Sequence, residues 1–192
     1  MNLIFKNLDD YYRGIFSLYE FNTTELIEIR KRSEERRKEK ASGGPTPADS
    51  RDMFVEILCF CFMPNHIHLL LKQLKDNGIS QFMQKVGTGY AVYFNKKYNR
   101  KGHLFNKFKA VHIENDNQFK NVFTYIHANP ISLIESGWKE KGIENQEKVI
   151  EFLENYKWSS YADYIGKKNF PSVIKRDFLL KVMGGEKDCR KA

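Results

Sequence analysis

The apolar positions of the chain change period from segment to segment. "MFVEILCFCF" is dense in β-formers, "MPNH" after it is a turn because proline favours the second turn position, and "HIHLLLKQ" returns as a strand, so this stretch predicts a β-hairpin. Strand alternation puts His66, His68 and Leu70 on one face and Ile67, Leu69 and Leu71 on the other. Across a two-residue turn, Cys61 faces His68. Ile79, Phe82, Met83, Val86, Tyr90, Tyr93 and Phe94 then recur at spacings of three and four, which predicts an amphipathic helix over 79–98. Gly87 and Gly89 interrupt it; a helix glycine costs about 1 kcal/mol against alanine and marks close approach by another backbone. "KFKAVHIE" alternates as a strand. Asn115 or Asp116 can cap a helix through "NQFKNVFTYIHAN", which Pro130 ends by pushing Asn129 out of the α region. Upstream, "NTTELIEIRKRSEERRKEK" opens with cap residues, and Leu26, Ile27 and Arg30 follow at helical spacing before mixed charge takes over. That predicts a helix with a solvated end. "ASGGPTPADS", residues 41–50, is a flexible loop within the domain. A further helix lies near "QEKVIEFLENY", followed by the aromatic stretch "WSSYADYIGKKNF".

The order is helix, strand, strand, helix, strand, helix. A strand before the first helix would complete a βαββαβ antiparallel sheet with helices on one face, an α+β arrangement, and only "NLIF" is placed to supply it. The chain of 192 residues is 41% hydrophobic, enough for one domain with a real core. No apolar run reaches about 18 residues, so no transmembrane helix is expected. The N-terminus lacks the basic and apolar regions of a signal peptide. The three cysteines, Cys59, Cys61 and Cys189, have no framework spacing, which argues against a disulfide scaffold and for a reducing cytosol.

Charge sharpens the picture through its placement. The net charge is +8, and Lys72 to Lys109 holds nine Lys/Arg against the single acid Asp76. Phe82, Tyr90, Tyr93, Phe94, Tyr98, Phe105 and Phe108 are interleaved with them. Basic groups among stacking-capable rings suit a nucleic-acid groove, with Lys72, Lys85, Lys96, Lys97, Arg100, Lys101, Lys107 and Lys109 as candidate contacts. The bland alternative is that the rings are core and the lysines a solvated face.

Candidate chemistry centres on the histidines. On one strand face, His66 and His68 can share one divalent ion; they can equally be ordinary half-exposed strand residues. A zinc site from Cys59, Cys61, His66 and His68 is a second option, although each pair has one intervening residue where zinc sites use longer spacings. In "FTYIHANP", Tyr125 and Asn129 are four apart and share a helix face. A tyrosine hydroxyl is a competent nucleophile on a phosphodiester when a metal polarises the phosphate, and Asn129 offers an amide oxygen to the same ion. Taken singly, Tyr125 reads as packing and Asn129 as a helix stop.

Taken together, "MPNHIHLLL", "YFNKKYNRKGHLF", "FKA", "YIHANP" and "WSSY" resemble the REP-associated tyrosine transposases, within the single-tyrosine HUH transposases related to small insertion sequences. HUH denotes His-hydrophobic-His, here His66-Ile67-His68. The resemblance runs from about Asn2 to Phe170 and implies an HUH domain over 1–170, with 171–192 as a C-terminal tail. It implies a ferredoxin-like α/β sandwich with the first strand missing or shortened. It also implies Mg²⁺ or Mn²⁺ held by His66, His68 and Asn129, with Tyr125 as the nucleophile on single-stranded DNA, leaving a 5′-phosphotyrosine. The implied substrates are repeat hairpins like repetitive extragenic palindromes, the implied setting cytoplasmic and nucleoid-associated, the assembly monomer or homodimer, and no membrane is involved. In "HLFNKFKA", one residue shorter than the family's usual pattern, Lys107 stands near where an arginine lies, and the two are not equivalent at a bidentate site. The rival functions are a non-catalytic repeat-DNA-binding relative and a zinc-stabilised nucleic-acid-binding module.

Overall fold

In the computed structural model, which describes residues 3–28, 31, 32, 34, 38, 51–106 and 108–192, the hairpin forms as expected. β1 (Val55–Met63) pairs antiparallel with β2 (His66–Gln73), with Met63 opposite His66 and Cys61 opposite His68. A register shift between Ile57 and Cys59 leaves Leu58 without a partner on β2. Its carbonyl instead accepts a hydrogen bond from the Tyr164 hydroxyl. Since neighbouring strand residues face opposite ways, Cys59, Cys61, His66 and His68 share one face, and Phe60, Phe62, Ile67 and Leu69 the other.

Helices cover both faces, where the sequence pattern suggested one. On the phenylalanine face lie α1 (Leu8–Glu20) and α2 (Gly78–Lys97). Phe5 stacks on Phe62 at 4.9 Å and meets Tyr90 of α2 edge-on at 5.4 Å. Gly14 of α1 sits so close to this cluster that a Cβ there would fall 2.4 Å from the Phe62 ring. On the histidine face lies α3 (Asp116–Ala128), capped by the Asn115 side chain accepting from Gln118 N at 3.0 Å. Beyond it come a 3₁₀ turn (Asn129–Leu133), α4 (Trp138–Lys141), α5 (Gln146–Asn155), α6 (Tyr161–Tyr164), α7 (Asp177–Met183) and α8 (Glu186–Lys191). Leu179 and Cys189 of the last two are fully buried in the common core. No helix among the described residues is long and apolar enough to cross a membrane.

The described residues form a mixed α+β fold around a two-stranded sheet, and a four-stranded ferredoxin-like order is not laid out in them. Residues 108–114 of the expected third strand pair with nothing as a strand, and Val111 is 84% exposed. Alternation fits a pleated surface but does not create the partner edge that a strand needs. "NLIF" adds no strand either: Ile4 and Phe5 are buried and donate both backbone N–H groups to the Pro64 carbonyl, at 2.9 and 3.0 Å. The outer edge of β1 is occupied by the "WSSY" segment. Phe62 N donates to Trp158 O at 2.8 Å, Ser160 N to Phe60 O at 3.0 Å, and Cys61 bridges Ser159.

Three local expectations also change. Residues 22–28 are not helical, and Leu26 is 97% exposed. Asn22 instead accepts from Phe54 N and Val55 N while donating to Val55 O, and Lys85 holds the carbonyls of Thr23 and Glu25, so tertiary bonds take the groups a helix would use. Further along, residues 31, 32, 34 and 38 are helical as expected, with Arg32 N donating to Glu28 O at 3.0 Å, and the rest of that helix, like the 41–50 loop, lies outside the described residues. Asn129 keeps α-region angles (φ −54°, ψ −37°) and the chain tightens into the 3₁₀ turn, because proline in a first turn loses only a donor that would be unpaired there. Gly89 is approached by a side chain and not a backbone: a Cβ there would lie 2.2 Å from the Phe21 ring.

Asp10 ties α1 to the end of α2. Its buried carboxylate accepts from Lys97 Nζ at 2.8 Å, Tyr98 OH at 2.7 Å, Lys6 N at 2.8 Å and Tyr93 OH at 3.0 Å. Burial pushes its pKa up, but the bonds from Lys97, Tyr98, Lys6 and Tyr93 outweigh it and hold the group below its ordinary 3.8. A carboxyl depressed on folding contributes stability above its unfolded pKa and loses it as pH falls through the folded value. Asp10→Asn therefore lowers unfolding free energy by about 2 kcal/mol at neutral pH, with the gap to the unaltered protein narrowing below pH 3.8. Urea denaturation across that range checks both parts.

Candidate active site

The Pro64–Asn65 turn, clamped by Ile4 and Phe5, places the histidines at the turn end of the hairpin. His66 Nδ1 lies 2.5 Å from Asn65 Oδ1, and His66 Nε2 lies 2.9 Å from His68 Nε2. Asn65 Oδ1 only accepts, so His66 carries its proton on Nδ1 and turns a bare Nε2 lone pair toward His68. The two rings meet edge-to-face at 4.7 Å. Both are half-buried, which lowers the pKa of His66, with the Lys139 charge adding to the effect. Burial, then His66, then Lys139 bring His68 down to about 4. Both imidazoles are therefore neutral near neutral pH, the form that ligates metal.

The helix α3 brings the tyrosine to this pair. The Tyr125 ring stands edge-to-face with His68 at 5.4 Å and remains 50% exposed, open to a substrate. One turn later Asn129 is buried, and its Nδ2 donates to the Tyr125 carbonyl at 2.5 Å. That bond engages the amide with its own helix and not with either imidazole, and leaves Oδ1 as the unused donor atom. Lys139, from the short helix α4, completes the group: its Nζ lies 4.6 Å from the centre of the Tyr125 ring.

The spacing of the two imidazoles fits a small divalent ion. Octahedral coordination at about 2.1 Å sets adjacent donors about 3.0 Å apart, close to the 2.9 Å between the two Nε2 atoms. For both to ligate, His68 must hold its proton on Nδ1. The cysteines do not join them. Cys59 and Cys61 are fully buried, burial pushes both thiols well above their ordinary range, and no three His, Cys, Asp or Glu side chains are grouped for a metal among the described residues.

The basic stretch divides. Lys72 pairs with Glu56 at 3.1 Å, Lys85 is spent on two backbone carbonyls, Lys97 on Asp10, and Arg100 bonds Asn95 and the His103 carbonyl. Lys96, Lys101 and Lys109 are exposed, and Lys107 lies outside the described residues. Of the interleaved rings, Phe82, Tyr90 and Phe94 are core, because their i, i+4 spacing on α2 turns them toward the hairpin; Phe108 is exposed.

Sequence reasoning missed Asn65, Lys139 and the link that fixes α3 to the hairpin. Buried His127 reaches Ser160 Oγ at 2.9 Å, and Ser160 Oγ also accepts from Phe60 N at 2.9 Å. The side chains of "YIHANP" and "WSSY" thus meet on β1. Asn65 could have been found from its place immediately before His66; nothing local marks Lys139.

The hairpin carries two converging imidazoles and is faced by a helix that presents a tyrosine. Residues 48–129 match the family model described as "Transposase IS200 like", a span that holds the hairpin, α2 and α3 and closes on Asn129. The chain carries an IS200-like transposase domain over those residues, which implies DNA binding and a single-stranded DNA nuclease or transposition-type function. Comparison with curated proteins and with solved structures found no match.

Proposed function

We propose that the protein is a metal-dependent single-stranded DNA nickase and strand transferase, of the REP-associated kind, acting on repeat hairpins through a 5′-phosphotyrosine. The observation that supports it most is the ring contact between His68 on β2 and Tyr125 on α3, which brings the candidate metal-binding strand and the candidate nucleophile into one site. The Tyr125 oxygen attacks the phosphorus and loses its proton to solvent. The bond from phosphorus to the 3′-oxygen breaks, and that oxygen takes up a proton as the 3′-OH. A Mg²⁺ or Mn²⁺ held by His66, His68 and the Asn129 Oδ1 would polarise the phosphate and offset charge developing on it. Asn65 keeps the His66 lone pair aimed into the site, and the His127–Ser160 link keeps α3 in register with the hairpin. Exposed Lys96, Lys101 and Lys109 are left to meet phosphates along the strand.

The test is to incubate the purified chain with an end-labelled pool of hairpin DNAs carrying randomised single-stranded flanks. The expected result is a covalent protein–DNA band on a denaturing gel in Mg²⁺ or Mn²⁺, lost when the ion is chelated. Hairpin binding without any adduct would replace this reading with a non-catalytic repeat-binding protein.

A further inference from the structure

We infer that Lys139 is a catalytic cation that binds the scissile phosphate during attack by Tyr125. Its Nζ stands over the Tyr125 ring, 4.6 Å from the ring centre. Lys139 is exposed and forms no ion pair among the described residues, so its charge is open to an anion that reaches the Tyr125 ring. Its Nζ also lies 5.7 Å from the centre of the Trp138 ring. The backbone delivers it deliberately: Gly137, at φ +78°, turns the chain into the four-residue helix Trp138–Lys141 just after the tyrosine helix has ended. The side chain lies beyond the 48–129 family match, so the family model does not include it.

This role rests on the function proposed above. A phosphodiester carries one negative charge; when the tyrosine oxygen adds and before the 3′-oxygen leaves, the non-bridging oxygens carry more. An ammonium already placed beside the nucleophile's ring stabilises that excess without reorganising. The bond from phosphorus to the tyrosine oxygen forms, the bond to the 3′-oxygen breaks, and Lys139 stays protonated throughout.

The experiment measures the single-turnover rate of adduct formation and the equilibrium affinity, using the same labelled hairpin pool and metal, for the unaltered protein, Lys139→Gln and Lys139→Arg. Lys139 is exposed, so neither variant should shift thermal melting. Lys139→Gln should form adduct about 100-fold more slowly, the loss typical of removing one donor to developing oxyanion charge. Affinity should stay within about threefold, because one phosphate contact among many carries little of it. Lys139→Arg should restore most of the rate. Adduct formation by Lys139→Gln within threefold of the unaltered protein overturns the inference, as does Lys139→Arg being as slow as Lys139→Gln. No adduct from the unaltered protein instead defeats the proposed function itself, and this inference falls with it.

Discussion

Tyr125→Phe should bind hairpin DNA as the unaltered protein does and form no covalent adduct with it. The substitution removes one oxygen and keeps the ring, so the edge-to-face contact with His68 and the cation above the ring both persist. Half the side chain is already in solvent, at 50% exposure, so a stability change beyond about 0.5 kcal/mol is not expected. Affinity is dominated by phosphates contacted elsewhere. Chemistry is another matter: in the proposed reaction the missing oxygen is the attacking atom, and no metal concentration replaces it. Denaturing gels and a parallel binding titration separate the two outcomes. An adduct persisting in Tyr125→Phe would remove Tyr125 from its assigned role.

His68→Ala should lower adduct formation by about 1000-fold, the rate equivalent of the several kcal/mol of charge stabilisation a Lewis-acid ion supplies. It deletes one of the two converging Nε2 atoms and also the ring that seats Tyr125. Asn65→Ala should be milder, about 10- to 100-fold, because it leaves both ligands and removes only what orients His66. Raising Mn²⁺ should recover much of the Asn65→Ala loss and little of the His68→Ala loss. A metal titration of adduct formation for the two variants shows the difference; equal recovery in both would mean that Asn65 does not act through the imidazole.

Much of the site was legible because it is local. His66 and His68 share a face by strand alternation, Cys61 meets His68 through a two-residue turn, and Tyr125 and Asn129 share a face by helical period. Each of these follows from spacings of two or four along a single element, and the structure keeps all of them. Expectations failed where a segment needed a distant partner. "KFKAVHIE" has the alternation of a strand, but no edge of the hairpin takes up its described part. "NTTELIEI" has cap and period, but Asp52, Val55 and Lys85 claim its polar groups, and hydrogen bonds made at long range outweigh a weak helical preference.

By itself, then, the sequence determined the hairpin and the two long helices that follow it, and it marked His66, His68, Tyr125 and Asn129 as candidates, since hydrophobic period and turn chemistry act over a few neighbouring positions. Only the tertiary structure decided which of those residues meet. It turned Phe82, Tyr90 and Phe94 into the core and paired Lys72, Lys85 and Lys97 within the protein. It used Ile4 and Phe5 as a clamp on the turn, and it carried Lys139 over the Tyr125 ring. The physical reason is that these contacts join groups far apart along the chain. Their free energy arises from burial and from satisfying polar groups that the whole core creates, and no window of a few residues contains that information.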